Sequence, residues 1–277
     1  MFVSPGSCLA EPLESRRLFA GVWMAAGVIH IVGSPFGPDT ITIGVNADQS
    51  AIDASVTFPT RIGPRTLTGS FPLSRPYRVV GIVGSAGADS ITIDQTNGPF
   101  PLRTIIIAGL GNDTIFGGQQ ADTIVCGAGN DFVDAGGGDD LIRCITGQNT
   151  ILGGDGTDRI YGGFGADLLE GGLGNDVLLG GPGNDTLIGG DGNDGMNGGP
   201  GFDSLEGDDG NDTLFDGHGH DTLIGGAGQD VFRSFGLKGN PVNDFEQGTD
   251  IFRVVVLPSS GGSSFLDNLT NGLTWPF

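Results

Sequence analysis

The amino-acid sequence predicts an all-β fold, a solenoid in which short parallel strands stack coil upon coil, and three observations support it. A nine-residue pattern repeats fourteen times across residues 108–233 without insertion or deletion. Glycine accounts for 54 of the 277 residues and keeps a fixed register within this pattern. The same segment holds 20 Asp and 2 Glu against 3 Arg, so it carries −19 of the chain's net charge of −21. An exact period of this kind is typical of a repeat architecture.

The bulk composition excludes several classes of protein. The glycines do not recur at every third residue, which excludes collagen, and Val, Ile and Leu are retained in register, which argues against disorder. A net charge of −21 argues against nucleic acid as a partner, because phosphate binding requires a basic surface. The sequence has no apolar run of eighteen residues, so we expect no transmembrane helix.

Each position of the nonapeptide has a physical role. Counted from Ala108, the fourth residue is Gly in thirteen of the fourteen units, with Gln120 the exception, and the sixth is Asp in thirteen, with Asn149 the exception. The eighth residue is apolar in every unit, from Ile115 to Phe232. Glycine readily takes a positive φ and permits a tight bend, while an apolar residue between two outward-facing neighbours suits a very short strand. Each unit is therefore predicted to be a turn followed by a strand.

Two such units make one coil of eighteen residues, and coils stacked as parallel strands lie about 4.8 Å apart. Asp residues eighteen apart then lie above one another on one edge, where neighbouring carboxylates repel by about 1 to 4 kcal/mol. A hard cation with oxygen ligands relieves that repulsion, and Ca²⁺, with its flexible geometry, fits better than Mg²⁺. The alternative is a metal-free repeat of solvated Asp and Gly turns, which leaves the repulsion uncompensated. The sequence therefore predicts a ladder of calcium sites.

Units such as GGLGNDVLL (171–179) and GGPGNDTLI (180–188) resemble the nonapeptide repeat of the RTX proteins, the hemolysin-type calcium-binding repeats. The resemblance implies a right-handed parallel β-roll with each ion between the loops of adjacent coils. It implies as metal ligands the sixth-position aspartates Asp113, Asp122, Asp131, Asp140, Asp158, Asp167, Asp176, Asp185, Asp194, Asp203, Asp212, Asp221 and Asp230. It also implies loop carbonyls as ligands, here those of Gly154, Gly156, Gly163, Gly165, Gly172, Gly174, Gly181, Gly183, Gly190, Gly192, Gly199 and Gly201. Two ladders of seven units offer twelve gaps, of which Asn149 weakens two, so we expect about ten Ca²⁺ ions as cofactors.

The N-terminal residues 1–27 are predicted to be a targeting-like segment. PLESRRLFAGVW (12–23) resembles the LEPR-XLL motif found at the N-termini of large exported proteins. The stretch SRRLF (15–19) also resembles a twin-arginine signal. That route carries folded cargo, whereas a calcium-dependent roll is expected to be unfolded in a low-calcium cytosol, so the first resemblance is favoured. The segment predicts a protein exported from a bacterial cell.

Residues 28–107 are predicted to form irregular β-coils that cap the lower edge of the roll. Runs rich in Ile, Val and Thr and broken by Gly and Pro are typical of strands and turns. Two stretches, 31–43 and 82–93, resemble each other, and each places an Asp, Asp39 or Asp89, before an alternating strand. These aspartates could hold isolated ions or form structural turns, and the turns are favoured.

Residues 234–277 are predicted to close the roll and to end in an exposed tail. NPVNDFEQGTDIFRV (240–254) is similar to the segment that closes many RTX rolls, as in the C-terminal domains of serralysin-type proteases. The predicted division of the chain is therefore 1–27, 28–107, 108–233 and 234–277.

The sequence patterns offer no candidate catalytic residues. Neither an H-E-x-x-H zinc helix nor a G-x-S-x-G nucleophile elbow occurs. His30 lies in an apolar strand pattern that favours packing over general-base chemistry. In DGHGHDTLI, His218 and His220 lie beside Asp216 and Asp221, a set that would suit Zn²⁺ or Cu²⁺. Loop positions three and five are expected to face solvent, and we favour that interpretation of the two histidines.

Cys126 and Cys144 are predicted to form a disulfide. They lie eighteen residues apart, on the same edge of neighbouring coils, and a stacking distance of about 4.8 Å falls within the Cα separation of about 4.4–6.8 Å that disulfides tolerate. The unit that begins at Cys144 has lost its Asp to Asn149, so the covalent link would stand where the cation is weakest. The alternative is two unrelated small buried residues. Cys8 is expected to stay free or to be removed with the leader.

Together these features predict a secreted, non-catalytic calcium-binding β-roll protein with a structural, surface or adhesive role. Calcium ions are its expected partners, and an unidentified polysaccharide or protein of the cell surface or matrix is a further one. The rival prediction is a secreted polysaccharide-acting enzyme, epimerase- or lyase-like, or the calcium-binding module of one. Such substrate surfaces usually show exposed aromatics and paired carboxylates, whereas Tyr161, Phe164, Phe202 and Phe215 are scattered here, which favours binding.

Overall fold

The computed structural model describes residues 20–35, 37–60, 62–234 and 250–254, and their regular structure consists of β-strands. In chain order these are β1 (Gly21–Ala25), β2 (Val28–Val32), β3 (Thr40–Val45), β4 (Ala51–Phe58), β5 (Arg65–Pro72), β6 (Val79–Val83), β7 (Ser90–Asp94), β8 (Thr104–Leu110), β9 (Thr114–Phe116), β10 (Thr123–Ala128), β11 (Phe132–Asp134), β12 (Leu141–Thr146), β13 (Thr150–Asp155), β14 (Arg159–Tyr161), β15 (Leu168–Leu173), β16 (Val177–Leu179), β17 (Thr186–Asp191), β18 (Gly195–Gly201), β19 (Ser204–Asp209), β20 (Thr213–Gly219), β21 (Thr222–Ile224), β22 (Val231–Ser234) and β23 (Ile251–Val254). None of these residues forms a helix with the length and apolarity that a membrane crossing requires. Most of the predicted targeting motif, Cys8, most of the closing segment and the predicted tail lie outside the described residues.

The chain alternates between two sheets. Sheet A has twelve strands in the order β1-β2-β6-β8-β10-β12-β14-β16-β18-β20-β22-β23. Sheet B has eleven in the order β21-β19-β17-β15-β13-β11-β9-β7-β3-β4-β5. Neighbouring strands are parallel except in the pairs β1–β2, β3–β4 and β4–β5, which are antiparallel. The fold is therefore an all-β solenoid of parallel coils, as the sequence predicts.

An eighteen-residue coil sets the register of the regular part. Leu169 of β15 pairs with Ile151 of β13 on one side and with Leu187 of β17 on the other, and each partner lies eighteen residues away. The Cα atoms of Cys126 and Cys144, on adjacent coils, are 4.9 Å apart, which matches the spacing of parallel strands. The predicted coil and its stacking distance are confirmed.

The core consists of two facing columns of apolar side chains enclosed between the sheets. Every eighth-position side chain of the roll is buried, with at most 1% of its surface exposed. These residues are Ile115, Ile124, Val133, Ile142, Ile151, Ile160, Leu169, Leu178, Leu187, Met196, Leu205, Leu214, Leu223 and Phe232. Side chains at positions seven and nine face outward, because successive side chains alternate along a strand. Each nonapeptide therefore buries one large apolar side chain.

Two irregular coils lie below the roll, on its N-terminal side, and share its sheets. β2 and β3 form one coil, β6 and β7 form the next, and the buried Ile82 and Ile91 continue the apolar columns. In the chain, β4 and β5 come between β3 and β6, and they form an antiparallel hairpin that extends the end of sheet B beyond β3. At the end of sheet A, β1 pairs with β2, and Trp23 stacks on His30 with 5.4 Å between the ring centroids. β1 lies within the predicted targeting-like segment 1–27, so part of that segment belongs to the fold.

Candidate metal centre

Two ladders of buried aspartates, one on each edge of the roll, form the candidate site. The sixth-position side chains have at most 3% of their surface exposed. In each ladder the backbone N–H of one Asp donates to Oδ1 of the Asp one coil above, as from Asp176 to Asp194 at 2.7 Å and, on the other edge, from Asp185 to Asp203 at 2.9 Å. The first ladder consists of Asp113, Asp131, Asn149, Asp167, Asp185, Asp203 and Asp221. The second consists of Asp122, Asp140, Asp158, Asp176, Asp194, Asp212 and Asp230.

The second carboxylate oxygen, Oδ2, has no hydrogen-bond partner in most of these residues. It is buried and without a donor in ten of them: Asp113, Asp131, Asp140, Asp158, Asp167, Asp176, Asp185, Asp194, Asp203 and Asp212. Asp122 differs, because the N–H of Gly118 donates to its Oδ2 at 3.0 Å. A buried acceptor left without a donor costs about 1–3 kcal/mol, and more when it is charged. These oxygens are therefore expected to be stabilised by a bound proton or a bound cation.

The orphan oxygens face carbonyl oxygens across the space that first-position glycines leave open. A Cβ atom on Gly162 would lie 2.5 Å from Oδ2 of Asp167 and 2.8 Å from the carbonyl oxygen of Gly180. The same arrangement recurs at Gly153, Gly171, Gly180, Gly189 and Gly207. Neither a carboxylate nor a carbonyl oxygen can donate a hydrogen bond to the other. Two acceptors bordering one small space are therefore suited to a cation.

Asn149 shows what happens when the ladder contains a donor of its own. Its Oδ1 accepts the N–H of Asp131 at 3.0 Å, as an aspartate would. Its Nδ2 donates to the carbonyl oxygen of Gly162 at 3.1 Å, the first-position carbonyl of the coil above. The amide thus supplies within the chain the donor that a carboxylate lacks. This contact supports the expectation that Asn149 weakens the ion-binding gaps it borders.

Most carboxyl groups of the ladders have pKa values raised above the ordinary Asp value in the metal-free fold. Burial, reinforced by the neighbouring aspartates, raises the pKa of Asp140 to about 9. The same two causes, burial first, raise the pKa of Asp158, Asp194 and Asp203 to about 7. A raised pKa means that the folded chain disfavours the ionised carboxylate unless a cation accompanies it. The raised pKa values and the Oδ2 atoms without a donor therefore both indicate that the ionised ladder requires a cation.

The potential ligands are carboxylate and backbone carbonyl oxygens, a hard donor set that Ca²⁺ prefers. The residues that would hold an ion are the ladder aspartates, through Oδ2, and the first-position carbonyls of the coil above. A bound Ca²⁺ would supply the positive charge that these desolvated oxygens lack. The residues present therefore fit calcium.

The glycine carbonyls that the resemblance implies as ligands belong to positions two and four of the unit, whereas the carbonyls that face Oδ2 belong to position one. The second-position residues Gly154, Gly172 and Gly190 continue the parallel pairing of sheet B. At the fourth position, a Cβ atom on Gly174 would overlap the carbonyl oxygen of Gly156 on the coil below, so a side chain has no room there. The role of these carbonyls as calcium ligands stays a prediction.

The first ladder continues downward into the irregular coils through Asp89 and Asp39. The N–H of Asp89 donates to Oδ1 of Asp113 at 2.8 Å, and that of Asp39 donates to Oδ1 of Asp89 at 2.7 Å. Here the Oδ2 atoms have donors, because the N–H of Ser34 reaches Asp39 at 2.7 Å and that of Ser85 reaches Asp89 at 2.8 Å. At Asp89 both carboxylate oxygens thus have backbone donors, which supports the structural-turn interpretation. At Asp39, Oδ1 is buried without a partner among the described residues, so its role as a turn stays a prediction.

The His-x-His segment does not gather its residues into one cluster. His218 and His220 are exposed, as expected for their loop positions, whereas Asp216 and Asp221 are buried. Within the described parts of the chain, one group of three or more metal-ligating side chains lies within 4.8 Å of one another, and it consists of Cys126, Asp131 and Cys144.

The predicted disulfide has the geometry that it requires, since the structure joins the Sγ atoms of Cys126 and Cys144 and sets their Cα atoms 4.9 Å apart. Its formation in the purified protein stays a prediction. Closing a loop of this size stabilises by about 3 kcal/mol in the chain-entropy model, so the Cys126→Ser/Cys144→Ser protein should unfold at a lower temperature. Non-reducing peptide mapping is expected to recover both cysteines in one linked peptide pair. Free thiols at both positions, or a link from either to Cys8, would contradict the pairing.

The two-ladder arrangement makes a prediction about coupling between aspartates. Asp176 and Asp194 are in direct contact within one ladder, whereas Asp185 belongs to the opposite edge. The stability losses of Asp176→Ala and Asp194→Ala should therefore be non-additive, while those of Asp176→Ala and Asp185→Ala should nearly add. Calcium-dependent unfolding of the single and double variants in urea measures both couplings. Equal coupling for the two pairs would be incompatible with an eighteen-residue coil.

Two features of the site escape inspection of the sequence. The first-position carbonyls carry no side-chain signal, because any residue has a carbonyl group. The second ladder also extends to Asp250, whose Oδ1 accepts the N–H of Asp230 at 3.2 Å. Its signal is the Gly-Thr-Asp-Ile-Phe stretch 248–252, which repeats positions four to eight of the unit at a spacing of twenty residues instead of eighteen.

Comparison with known proteins agrees with this geometry. The family described as the RTX calcium-binding nonapeptide repeat matches the chain in four copies, at residues 107–142, 146–178, 170–205 and 197–232. No curated protein matches the chain.

Proposed function

We propose that this chain, whose residues 107–142 and 146–232 match the RTX calcium-binding nonapeptide repeat, is a secreted bacterial protein whose roll folds when calcium binds to it outside the cell. About ten ions would be held along the two aspartate ladders. The folded roll then serves a structural or adhesive role at the cell surface or in the matrix.

The observation that carries this proposal is the pairing of two acceptors across each first-position glycine. At Gly162, Oδ2 of Asp167 and the carbonyl oxygen of Gly180 border the same space. The first has no hydrogen-bond donor among the described residues, and the second accepts the N–H of Gly163 at 3.0 Å, so neither receives a proton from the other. Such a space is stabilised by a cation and destabilised by its removal. The concentration of calcium supports a secreted setting. Extracellular calcium modules have dissociation constants of about 10⁻⁴–10⁻³ M, so sites of that affinity would be empty at the low calcium concentration of the cytosol and filled outside the cell.

Equilibrium dialysis against calcium, with far-ultraviolet circular dichroism on the same samples, tests the proposal. We expect about ten bound ions, with binding and the gain of β-structure rising together. Asp176→Asn should lower the count, and its matched control is Asp155→Asn, which removes an exposed carboxylate on the same edge of the roll and should leave the count unchanged. A protein that binds no calcium at millimolar concentrations would refute the proposal. Calcium-dependent turnover of alginate-like polymers would replace the non-catalytic role with an enzymatic one.

A further inference from the structure

The outer face of sheet A is apolar and basic. From β6 to β22, the outward residues described at positions seven and nine include Arg143, Arg159 and Arg233 and no acidic residue. These three arginines are all the basic residues, apart from histidine, between positions 108 and 233. The larger apolar side chains on this face are Ile105, Ile107, Val125, Leu141, Tyr161, Val177, Leu179 and Phe215. In a segment of net charge −19, the bases are thus confined to one surface.

The outer face of sheet B has the opposite charge. Its ninth-position column, read from β11 to β21, alternates acidic and aliphatic residues: Asp134, Leu152, Glu170, Ile188, Glu206 and Ile224. Its seventh-position column is rich in Thr and Ser, as at Thr150, Thr186, Ser204 and Thr222. The described outward residues of these strands include no Lys or Arg. One molecule therefore presents two faces that differ in charge and share aliphatic rows.

We propose that sheet A of one molecule packs its outer face against the outer face of sheet B of a second copy. Sheets that pack face to face lie about 10 Å apart with their side chains interdigitated, so the aliphatic rows of the two copies would meet and exclude water. The arginines would then meet the acids of column nine at the same contact.

The spacing of the charges supports a second copy as the occupant. Arg159 and Arg233 lie four coils apart in sheet A, in neighbouring outward columns, and Asp134 and Glu206 lie four coils apart in one column of sheet B. Along the roll axis each pair is about 19 Å apart. An anionic polymer would also be attracted to the arginines, but it would leave the aliphatic rows of this face in water, whereas a second copy would cover them. Because the two faces of the contact are different, association is heterologous and leaves one of each free, so copies can add in series.

This inference rests on the proposed function in one respect, since both faces exist only in a folded roll. Sedimentation velocity of the full chain in saturating calcium is expected to show species larger than the monomer that increase with protein concentration and decrease with salt. Circular dichroism on the same samples distinguishes failure of calcium-dependent folding from failure of the contact between copies. If calcium produces no gain of β-structure, the proposed function is wrong. If the protein folds with calcium but stays monomeric at every concentration, the face-to-face contact is wrong.

Charge reversal identifies the faces. The variants Arg143→Glu/Arg159→Glu and Glu170→Arg/Glu206→Arg alter exposed side chains, and each alone is expected to weaken association at least tenfold. An equimolar mixture of the two should restore it, because each altered face then meets its complement. Arg65→Glu/Arg75→Glu, the matched control for the first variant, makes the same charge change at exposed residues away from the β6–β22 face and should associate like the unaltered protein.

Two results would overturn the assignment. Association that survives both variants would place the contact elsewhere on the molecule. Retention of a monomeric protein on immobilised heparin, lost in Arg143→Glu/Arg159→Glu, would assign the basic face to an anionic polymer instead of a second copy.

Discussion

Chelation of calcium is expected to unfold residues 108–233, and return of calcium at about 0.1–1 mM is expected to refold them. The segment carries a net charge of −19, and each nonapeptide buries only one large apolar side chain, which contributes about 1.5–3 kcal/mol. Ten buried Oδ2 atoms that have no donor among the described residues add a further penalty. Ion binding and folding should therefore be a single transition, because a ligand that binds the folded state alone stabilises it by mass action.

Far-ultraviolet circular dichroism and limited proteolysis measure this transition. Addition of EDTA should abolish the β-signal of the roll and expose it to protease, and excess Ca²⁺ should reverse both effects. Mg²⁺ at the same concentration is the control and should restore much less structure, because it requires strict octahedral geometry and dehydrates reluctantly. Retention of the full β-signal and of protease resistance in EDTA would show that the roll folds without a cation.

Acid is expected to replace calcium in part. In the unfolded chain the ladder carboxyls have the ordinary Asp pKa of 3.8, whereas in the metal-free fold the pKa of Asp140 is raised to about 9 and those of Asp158, Asp194 and Asp203 to about 7. The metal-free folded state therefore binds more protons than the unfolded state. Its stability is fully present below about pH 4 and is lost as the pH rises through 7 to 9. A proton and a calcium ion thus compete for the same oxygens.

A pH titration of the EDTA-treated protein, followed by circular dichroism, measures this effect. We expect more β-structure at pH 4 than at pH 8 without calcium, and release of protons when calcium is added at constant pH. Asp140→Asn, which removes the group whose pKa is raised to about 9, should lower the number of protons released. The control Asp191→Asn alters an exposed carboxyl outside the ladders and should leave that number nearly unchanged. A β-signal that increases with pH in EDTA would reverse the predicted sign.

The period of the repeat accounts for most of what the sequence predicts correctly. Residues of the types at Leu169 and Asp176 recur at intervals of nine, and an inward apolar residue and an acid at such an interval are typical of a stacked coil. The register of both sheets and the burial of every eighth-position side chain follow from that interval alone. The structure of the regular part can thus be predicted from the sequence, because each unit repeats the environment of the unit before it.

Features that depend on a single pairing were not predictable in this way. The β4–β5 hairpin interrupts the coils between β3 and β6, and its antiparallel partners are chosen by local turns and not by a period. The donation from Ser34 and Ser85 to Asp39 and Asp89 depends on backbone amides, which every residue type offers. The facing of carboxylate and carbonyl at Gly162 likewise involves main-chain atoms, so it becomes visible only when the coils are stacked.

If the roll folds on calcium binding as proposed, the small rise of each coil makes that binding change the length of the segment. Adjacent coils are 4.9 Å apart, so seven of them form a rod about 34 Å long, whereas the same 126 residues fully extended reach roughly 420–450 Å. Folding therefore shortens the maximum end-to-end length of the segment more than tenfold. If one end of the chain were anchored, calcium would draw the other end inward and convert a slack tether into a stiff spacer of defined length.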